Sequence, residues 1–229
     1  MIADTALLTP LSLKLAKPAS HTCARAFAED PLNEYLVPDM SLRHNLHYSF
    51  EYYLRYSYYG RNEVYLTSQN CEGIVCWASS EEKDSWFTRW RAGYPFLPLH
   101  CGWAAMKRGV EANKLSENLK KRHTPPRCMQ LELLAVNPEF QGQGFAGMLI
   151  RPMLRRLDSE DMPCYLETQS IRNVEMYRRF GFELKEKAVI PGTPHFLYAM
   201  IRPPRPVLTV MNPSLDLFEN ILTEVAVQA

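Results

Sequence analysis

The sequence lacks the features that mark several large classes of protein. No apolar run approaches the ~20 residues that a membrane-spanning helix requires, and the first residues do not join a basic segment to an apolar stretch, as a secretory signal does. Basic residues are barely in excess, since 26 lysines and arginines face 25 aspartates and glutamates. This balance argues against a nucleic-acid or anionic-membrane partner, and we expect a cytoplasmic protein.

The cysteines also lack the spacing that is typical of metal sites and disulfide frameworks. None of the cysteines stands in the C-x-x-C spacing of zinc and redox sites; the six are Cys23, Cys71, Cys76, Cys101, Cys128 and Cys164. Scattered thiols of this kind are typical of reduced, intracellular cysteines. The sequence therefore predicts no metal and no disulfide.

What the sequence does contain is a glycine-rich turn between Leu131 and Gly147. An apolar, strand-like run ends at Asn137-Pro138, and the glycine-rich residues lead into a segment whose apolar residues recur at helical spacing. Gly142 and Gly144 carry no Cβ that would block the close approach of a ligand. Because a helix N-terminus presents unpaired N–H groups and a charge of about +0.5 to an anion, the segment predicts a phosphate-binding turn.

Two kinds of phosphate-binding turn fit these residues. Gly142–Gly147 satisfies the dinucleotide pattern G-x-G-x-x-G, and Glu167 lies near the end of the next predicted strand, where a ribose-binding acid is expected. In a dinucleotide fold, however, the first glycine follows its strand directly, whereas residues 137–141 intervene here. The chain after Glu167 is also too short for the second half of a doubly wound sheet.

The other interpretation begins at Gln141, because Gln141-Gly-Gln-Gly-Phe-Ala146 fits the pattern Q/R-x-x-G-x-G/A. This turn resembles the pyrophosphate loop of the GCN5-related N-acetyltransferase (GNAT) superfamily. The downstream order is similar too, with a strand at Tyr165-Leu-Glu-Thr-Gln-Ser170 and a helix at Asn173-Val-Glu-Met-Tyr-Arg-Arg-Phe-Gly-Phe182. The resemblance implies an α/β (α+β) GNAT fold with a mixed central sheet of about six to seven strands. One splayed pair of strands would bind coenzyme A, and helices would flank the sheet.

Short motifs along the chain look like one branch of that superfamily, the branch that includes puromycin N-acetyltransferase. These motifs do not imply that the chain acts on the antibiotic. In chain order they are Ala26-Phe-Ala-Glu-Asp-Pro31, Tyr35-Leu-Val-Pro-Asp39, Gly73-Ile-Val-Cys-Trp77, Leu166-Glu-Thr168 and Tyr198-Ala-Met-Ile-Arg202.

The length of 229 residues fits one domain, with or without a tail. We predict a GNAT acetyltransferase domain over residues 9–204 that contains a helical insertion at about residues 81–126. Residues 205–229 form a C-terminal tail, assigned to packing or to contact within a homodimer. Alternation of apolar and polar residues from Leu11 to Ala16 predicts the first strand.

Aromatic residues are concentrated in two predicted helical segments. The tyrosines of a helix that ends near Tyr59 either pack onto the sheet or line an acceptor pocket. In the insertion, Trp86, Trp90 and Trp103 either pack in a core or help to cover the acceptor side.

The resemblance also implies the cofactor contacts, with acetyl-CoA as co-substrate and no metal. The free backbone of the splayed strand, at Leu134, Ala135 and Val136, would pair with the pantetheine arm. The residues implied for the pyrophosphate are Gln141, Gly142, Gln143, Gly144, Phe145 and Ala146. Asn173 would bond to the cofactor arm or cap its helix.

Acyl transfer from a thioester to an amine needs a neutral amine and a proton for the departing thiolate. Tyr177 matches the family position whose phenol stands near the thioester sulfur, and its alternative role is packing. Glu132 shares a strand face with Gln130 and is the candidate general base, since some relatives place a basic residue at the same offset from the turn. A solvated or salt-bridged strand glutamate is the alternative. Glu167 and His195 are the next candidates, and a structural role is open for each.

The predicted function is N-acetyl transfer from acetyl-CoA to the primary amine of a small molecule, directly within a ternary complex. The alternatives are O-acyl transfer and a coenzyme A-binding regulatory or interaction module without turnover. The expected partner is a small-molecule amine, with no nucleic acid and no membrane.

Overall fold

The computed structural model describes residues 7–80 and 85–206. Within these ranges the chain forms one seven-stranded sheet and eight α-helices. The strands are β1 (Thr9–Pro10), β2 (Glu63–Leu66), β3 (Gly73–Ser79), β4 (Met129–Val136), β5 (Cys164–Thr168), β6 (Glu183–Val189) and β7 (Phe196–Arg202). The helices are α1 (Leu13–Ala26), α2 (Pro31–Leu36), α3 (Leu46–Tyr59), α4 (Trp86–Ala92), α5 (Leu97–Cys101), α6 (Trp103–His123), α7 (Phe145–Ser159) and α8 (Ile171–Arg179).

The sheet is mixed, with the strand order β1-β2-β3-β4-β5-β7-β6. Neighbouring strands run antiparallel, except for β4 and β5, which are parallel. A parallel pair needs a crossover connection, and α7, the amphipathic helix predicted after the glycine-rich turn, provides it. The predicted α/β fold with a mixed sheet of this size is confirmed.

Strand β4 contains a bulge at Glu132. Leu131 and Leu133 pair with two successive residues of β3, so Glu132 is the additional residue of β4. A bulge changes which side chains face which side of the sheet. Leu131 therefore packs in the core beneath α7, whereas Leu133 and Ala135 pack in the opposite core beneath α1 and α3.

The parallel pair of β4 and β5 splays apart just where this bulge begins. Its pairing ends at Leu131 and Leu166. Beyond that point, within the described residues, 133–136 of β4 pair on the β3 side alone, while Glu167 and Thr168 of β5 pair with β7. The predicted splayed pair is thus present, and it leaves an unpaired backbone edge on β4.

The first predicted strand, from Leu11 to Ala16, is wrong, because α1 already begins at Leu13. Alternation over so short a run does not distinguish a strand from the start of a helix. The small side chains of Ala16, Ala19 and Cys23 lie buried on one face of α1 against the sheet. This packing favours the helix.

Three helices, α4 to α6, lie between β3 and β4. The tryptophans of this segment do not pack in a core, since Trp86, Trp90 and Trp103 are 67, 59 and 79% exposed. Of the predicted tail, residues 207–229 lie outside the described part of the chain. Among the helices described, none has the length and apolarity to cross a membrane.

Candidate functional site

The glycine-rich turn leads from β4 into α7 and leaves open space in front of its backbone. Gly142 and Gly144 have φ angles of 78° and 89°, in the left-handed region that residues with a Cβ rarely adopt. A Cβ placed on either glycine would meet no atom within 4 Å. A ligand can therefore approach the backbone of the turn closely.

The backbone donors of this turn are free. In the part of the chain that the structure describes, the N–H groups of residues 142–147 have no protein acceptor, and α7 begins with a bond from Met148 N–H to the oxygen of Gly144 (3.1 Å). Such donors at a helix N-terminus bind phosphate readily. Every residue predicted for the pyrophosphate, from Gln141 to Ala146, lies in this turn.

The two glutamines of the turn stabilise its shape from within. The Nε2 of Gln141 donates to the backbone oxygen of Val136 at 3.1 Å, and that of Gln143 donates to the backbone oxygen of Glu139 at 3.0 Å. Both side chains thus hydrogen-bond to the protein, and the backbone N–H groups remain as the donors for a ligand.

A cavity of about 550 Å³ lies beside the turn and is basic. Its wall includes Gly144 and three arginines, Arg151 and Arg155 of α7 and Arg179 of α8. Guanidinium groups match the geometry of phosphate oxygens. The cavity therefore suits further phosphate groups of a ligand that the turn holds.

A second cavity, of about 220 Å³, lies in the splay between β4 and β5, and we call it the splay cavity. Residues 130–134 and 165–169 line it, together with Asn173 and Tyr177 of α8. Leu134, predicted to contact pantetheine, is among them. Ala135 and Val136 continue β4 toward the turn; the side chain of Ala135 is buried, and its backbone groups face Ile74 of β3.

Tyr177 lies in the wall of the splay cavity, and its side chain is 7% exposed. Its ring packs edge-on against Phe182, with the ring centroids 5.7 Å apart. Burial raises the pKa of Tyr177, and the nearby Cys164 adds to the rise, so the phenol keeps its proton at neutral pH. Because Tyr177 lines the splay cavity, its phenolic proton lies within reach of a ligand held there.

Asn173 does not cap its helix. The N-cap of α8 is Ser170, and Nδ2 of Asn173 instead donates to Oγ1 of Thr168 at 3.3 Å. Both Asn173 and Thr168 line the splay cavity. Asn173 is therefore directed into the cavity from the first turn of α8.

Glu132, at the bulge of β4, is paired with a lysine that the sequence did not single out. Lys120 Nζ of α6 donates to Oε1 of Glu132 at 2.8 Å. Burial acts to lower the pKa of Lys120, but the Glu132 carboxylate outweighs it and the pKa is raised. Nothing in the sequence distinguishes Lys120 from the basic residues that follow it, because the contact depends on how α6 crosses the sheet.

Glu167, the next candidate base, is held by hydrogen bonds. The hydroxyl of Tyr165 donates to its Oε1 at 2.7 Å, and Ser116 also donates to the carboxylate. Burial raises the pKa of Glu167, although these hydrogen bonds and the charge of Lys120 oppose the rise. His195 lines neither the splay cavity nor the larger cavity beside it.

The larger cavity, of about 920 Å³, lies between α3, α6 and the neighbouring strands, and we call it the helical cavity. Tyr52, Tyr53 and Tyr56 of α3 line it, so part of the tyrosine-rich helix does face a pocket. The residues that it shares with the splay cavity are Asn33, Lys120, Gln130 and Glu132. The two cavities therefore adjoin at Glu132.

The sequence resembles proteins of one family. The sequence profile of the Acetyltransferase (GNAT) family matches residues 65–182. An uncharacterized N-acetyltransferase of Schizosaccharomyces pombe is 27% identical over 176 residues, which are 72% of this chain and 70% of the relative.

Solved structures share the fold. A structure described as histone acetyltransferase HPA2 and related acetyltransferase, from Corynebacterium glutamicum, is 21% identical and superposes with a TM-score of 0.60, covering 88% of this chain and 98% of that one. The polyamine N-acetyltransferase of Drosophila melanogaster is 16% identical with a TM-score of 0.55, covering 86% and 98% of the two chains. Together with the match to the family profile, these findings show that the chain belongs to the GNAT family of acetyltransferases and is an acyltransferase enzyme.

Proposed function

We propose that this enzyme transfers the acetyl group of acetyl-CoA to the primary amine of a small molecule, directly within a ternary complex. One observation carries the proposal: the splay cavity and the helical cavity share Glu132 and its partner Lys120. A thioester held along β4 and an amine held between α3 and α6 would meet at this junction. Two reactants held in contact need no covalent enzyme intermediate.

The residues present fit acetyl-CoA, which supplies the activated acetyl thioester. The turn from Gln141 to Ala146 offers free N–H groups and open space for the pyrophosphate. The edge of β4 at Leu134, Ala135 and Val136 that β5 leaves unpaired would lie along the pantetheine arm. Backbone groups of alternate residues face this edge, as they would face an added strand. Asn173 offers its amide to the same arm from the splay cavity.

In this proposal two side chains handle the protons of the reaction. An alkyl amine has a pKa near ~10 in water, so most of it arrives as ammonium. Glu132 accepts the proton that the amine must lose, directly or through a water molecule, and Lys120 orients the carboxylate. As the new C–N bond forms and the C–S bond breaks, Tyr177 donates its phenolic proton to the departing thiolate. The second proton, which the nitrogen loses as the amide forms, passes through water and restores the phenol.

We further propose that residues 9–204 form one acetyltransferase domain and that residues 81–126 are an insertion serving the acceptor. Helix α6 of this segment supplies Lys120 to Glu132 and forms a wall of the helical cavity. The segment would thus add an acceptor pocket to the sheet that holds the thioester.

Thiol release tests the proposed function. The protein is incubated with acetyl-CoA and a panel of primary amines, free thiol is followed with a chromogenic disulfide, and the products are identified by mass. The expected result is amine-dependent thiol release with a product heavier by one acetyl group. Coenzyme A binding in calorimetry without release for any amine or alcohol would instead support the binding module, and acetylation of alcohols alone would support O-acyl transfer.

A further inference from the structure

The helical cavity is long as well as large. On α6 its lining extends from Ala105 to Lys121, which corresponds to about 24 Å along the helix axis at ~1.5 Å per residue. Its volume of about 920 Å³ is near the upper end of the ~300–1,000 Å³ of pockets that bury drug-sized molecules. A short linear amine would fill only a small part of it.

The end of the cavity remote from Glu132 is apolar. Apart from Ser49, whose hydroxyl lies 3.1 Å from Cys101 Sγ, the side chains that line this end are Leu36, Val37, Leu46, Leu97, Cys101 and Ala105. Most of these side chains are buried and form one apolar cluster. A second cationic group of an acceptor would lose its hydration there without gaining an anionic partner among the described residues.

Carboxylates that line the cavity lie near its other end. In the described part of the chain they are Glu117 and Glu132, and Glu117 is one helical turn from Lys120. Lys120 already pairs with Glu132. A polyamine needs a second anionic site at a distance from the reacting amine, and the described lining offers none at the apolar end.

An aromatic wall leads from this cavity to the surface. Tyr52 contacts Tyr56 and Tyr94, with ring centroids 6.1 and 5.7 Å apart, and Trp86 packs edge-on against Tyr94 at 6.0 Å. Trp86 itself is 67% exposed. Aromatic faces and edges favour contact with other aromatic rings and with apolar groups.

We infer that the acceptor is a monoamine whose amino group is attached to a bulky aromatic or branched apolar body. This inference rests on the proposed function. The amine would lie at Glu132, and the apolar body would extend along α6 between the tyrosines of α3 and the apolar end of the cavity. Burial of such a body removes apolar surface from water, a gain that a small dication cannot make here.

Competing acceptors test the inference. The kcat/KM for tryptamine and 4-phenylbutylamine is compared with that for agmatine and putrescine at saturating acetyl-CoA. We expect the arylalkyl amines to be preferred by at least 10-fold. Equal values, or a preference for agmatine or putrescine, would overturn the inference and leave the proposed N-acetyl transfer intact.

A negative charge introduced into the wall of the helical cavity tests the same inference independently. Val110 lines the cavity and is half exposed, so Val110→Glu should fold. We expect this variant to reduce the preference for arylalkyl amines at least 10-fold with the KM for acetyl-CoA unchanged. Trp103→Glu, on the same helix but outside the cavity lining, is the matched control and should keep the wild-type preference.

The outcomes separate the two proposals. An unchanged preference in Val110→Glu would show that the helical cavity does not hold the acceptor body, which contradicts the inference alone. Thiol release with none of the four amines, despite coenzyme A binding, would contradict both the inference and the small-molecule acceptor of the proposed function. Absence of coenzyme A binding would contradict the proposed function at its first step.

Discussion

Lys120 of α6 and Glu132 of β4 form an ion pair of 2.8 Å at the point where β4 separates from β5. The pair joins the helical segment between β3 and β4 to the bulge of the central strand. It lies in the walls of both adjoining cavities. Glu132 is thereby held in place without losing contact with either cavity.

Glu132→Gln should slow acetyl transfer to alkyl amines most at low and neutral pH. The amide still accepts a hydrogen bond from Lys120 but no longer removes a proton from the amine, so we expect a loss of about 10- to 100-fold. At high pH the amine is already neutral and the difference should shrink. The measurement is kcat/KM against pH.

Glu186→Gln is the control for this variant. Glu186 pairs with Arg122 and His123 and lines neither cavity. Its pH profile should match that of the wild type. Identical profiles for Glu132→Gln and wild type would make Glu132 a structural residue, and Glu167→Gln would then be the next variant to measure.

Tyr177→Phe should lower kcat by about 10- to 100-fold with little change in acetyl-CoA affinity, because it removes a proton donor and keeps the ring packing against Phe182. Steady-state kinetics and calorimetry measure the two quantities. Tyr198→Phe, at a similarly buried tyrosine outside both cavities, should retain wild-type kcat. Normal turnover by Tyr177→Phe would reduce this residue to a packing role.

Gly144→Asp should weaken coenzyme A binding by at least about 30-fold, since it strains a left-handed residue and places a negative charge beside the pyrophosphate. Calorimetry with coenzyme A measures the change. Gly192→Asp introduces the same strain at φ 75° in an exposed turn elsewhere, so it controls for strain alone. Equal coenzyme A affinities for the two variants would show that the turn does not bind the cofactor.

Asp158→Asn should lower the free energy of unfolding by about 3 kcal/mol at pH 7, because Arg202 is buried and would lose its charged partner. Burial acts to raise the pKa of Asp158, but the hydrogen bonds from Arg202 and the Arg205 backbone outweigh it, so the pKa is lowered. A lowered carboxyl pKa adds stability above the unfolded value of ~3.9 that is lost as the pH falls through the folded value.

The difference between wild type and Asp158→Asn should therefore shrink below about pH 4. Denaturant titrations at pH 7 and pH 3 measure it. Glu175→Gln, which breaks an exposed pair with Arg178, should change stability by less than about 1 kcal/mol. If Asp158→Asn lowered the free energy of unfolding equally at both pH values, the carboxylate charge of Asp158 would not stabilise the fold.

The parts of the site that were predictable from the sequence are local in the chain. A strand, a glycine-rich turn and a helix follow one another from Leu131 to Leu157, and the left-handed angles of Gly142 and Gly144 need glycine whatever surrounds them. The tyrosine of α8 was likewise found from a short pattern. The branch resemblance stays a prediction.

The tertiary structure decided which residues and cavities the candidate catalytic side chains contact. The bulge at Glu132 shows itself only in the register against β3, and its lysine partner comes from a helix whose course no local pattern indicates. The apparent alternation after Leu11 became a helix because the sheet buries Ala16, Ala19 and Cys23. Backbone conformation depends largely on neighbouring residues, whereas cavities and ion pairs depend on elements far apart in the chain. The sequence alone therefore determined the glycine-rich turn, whereas the fold placed the helical cavity beside the splay cavity.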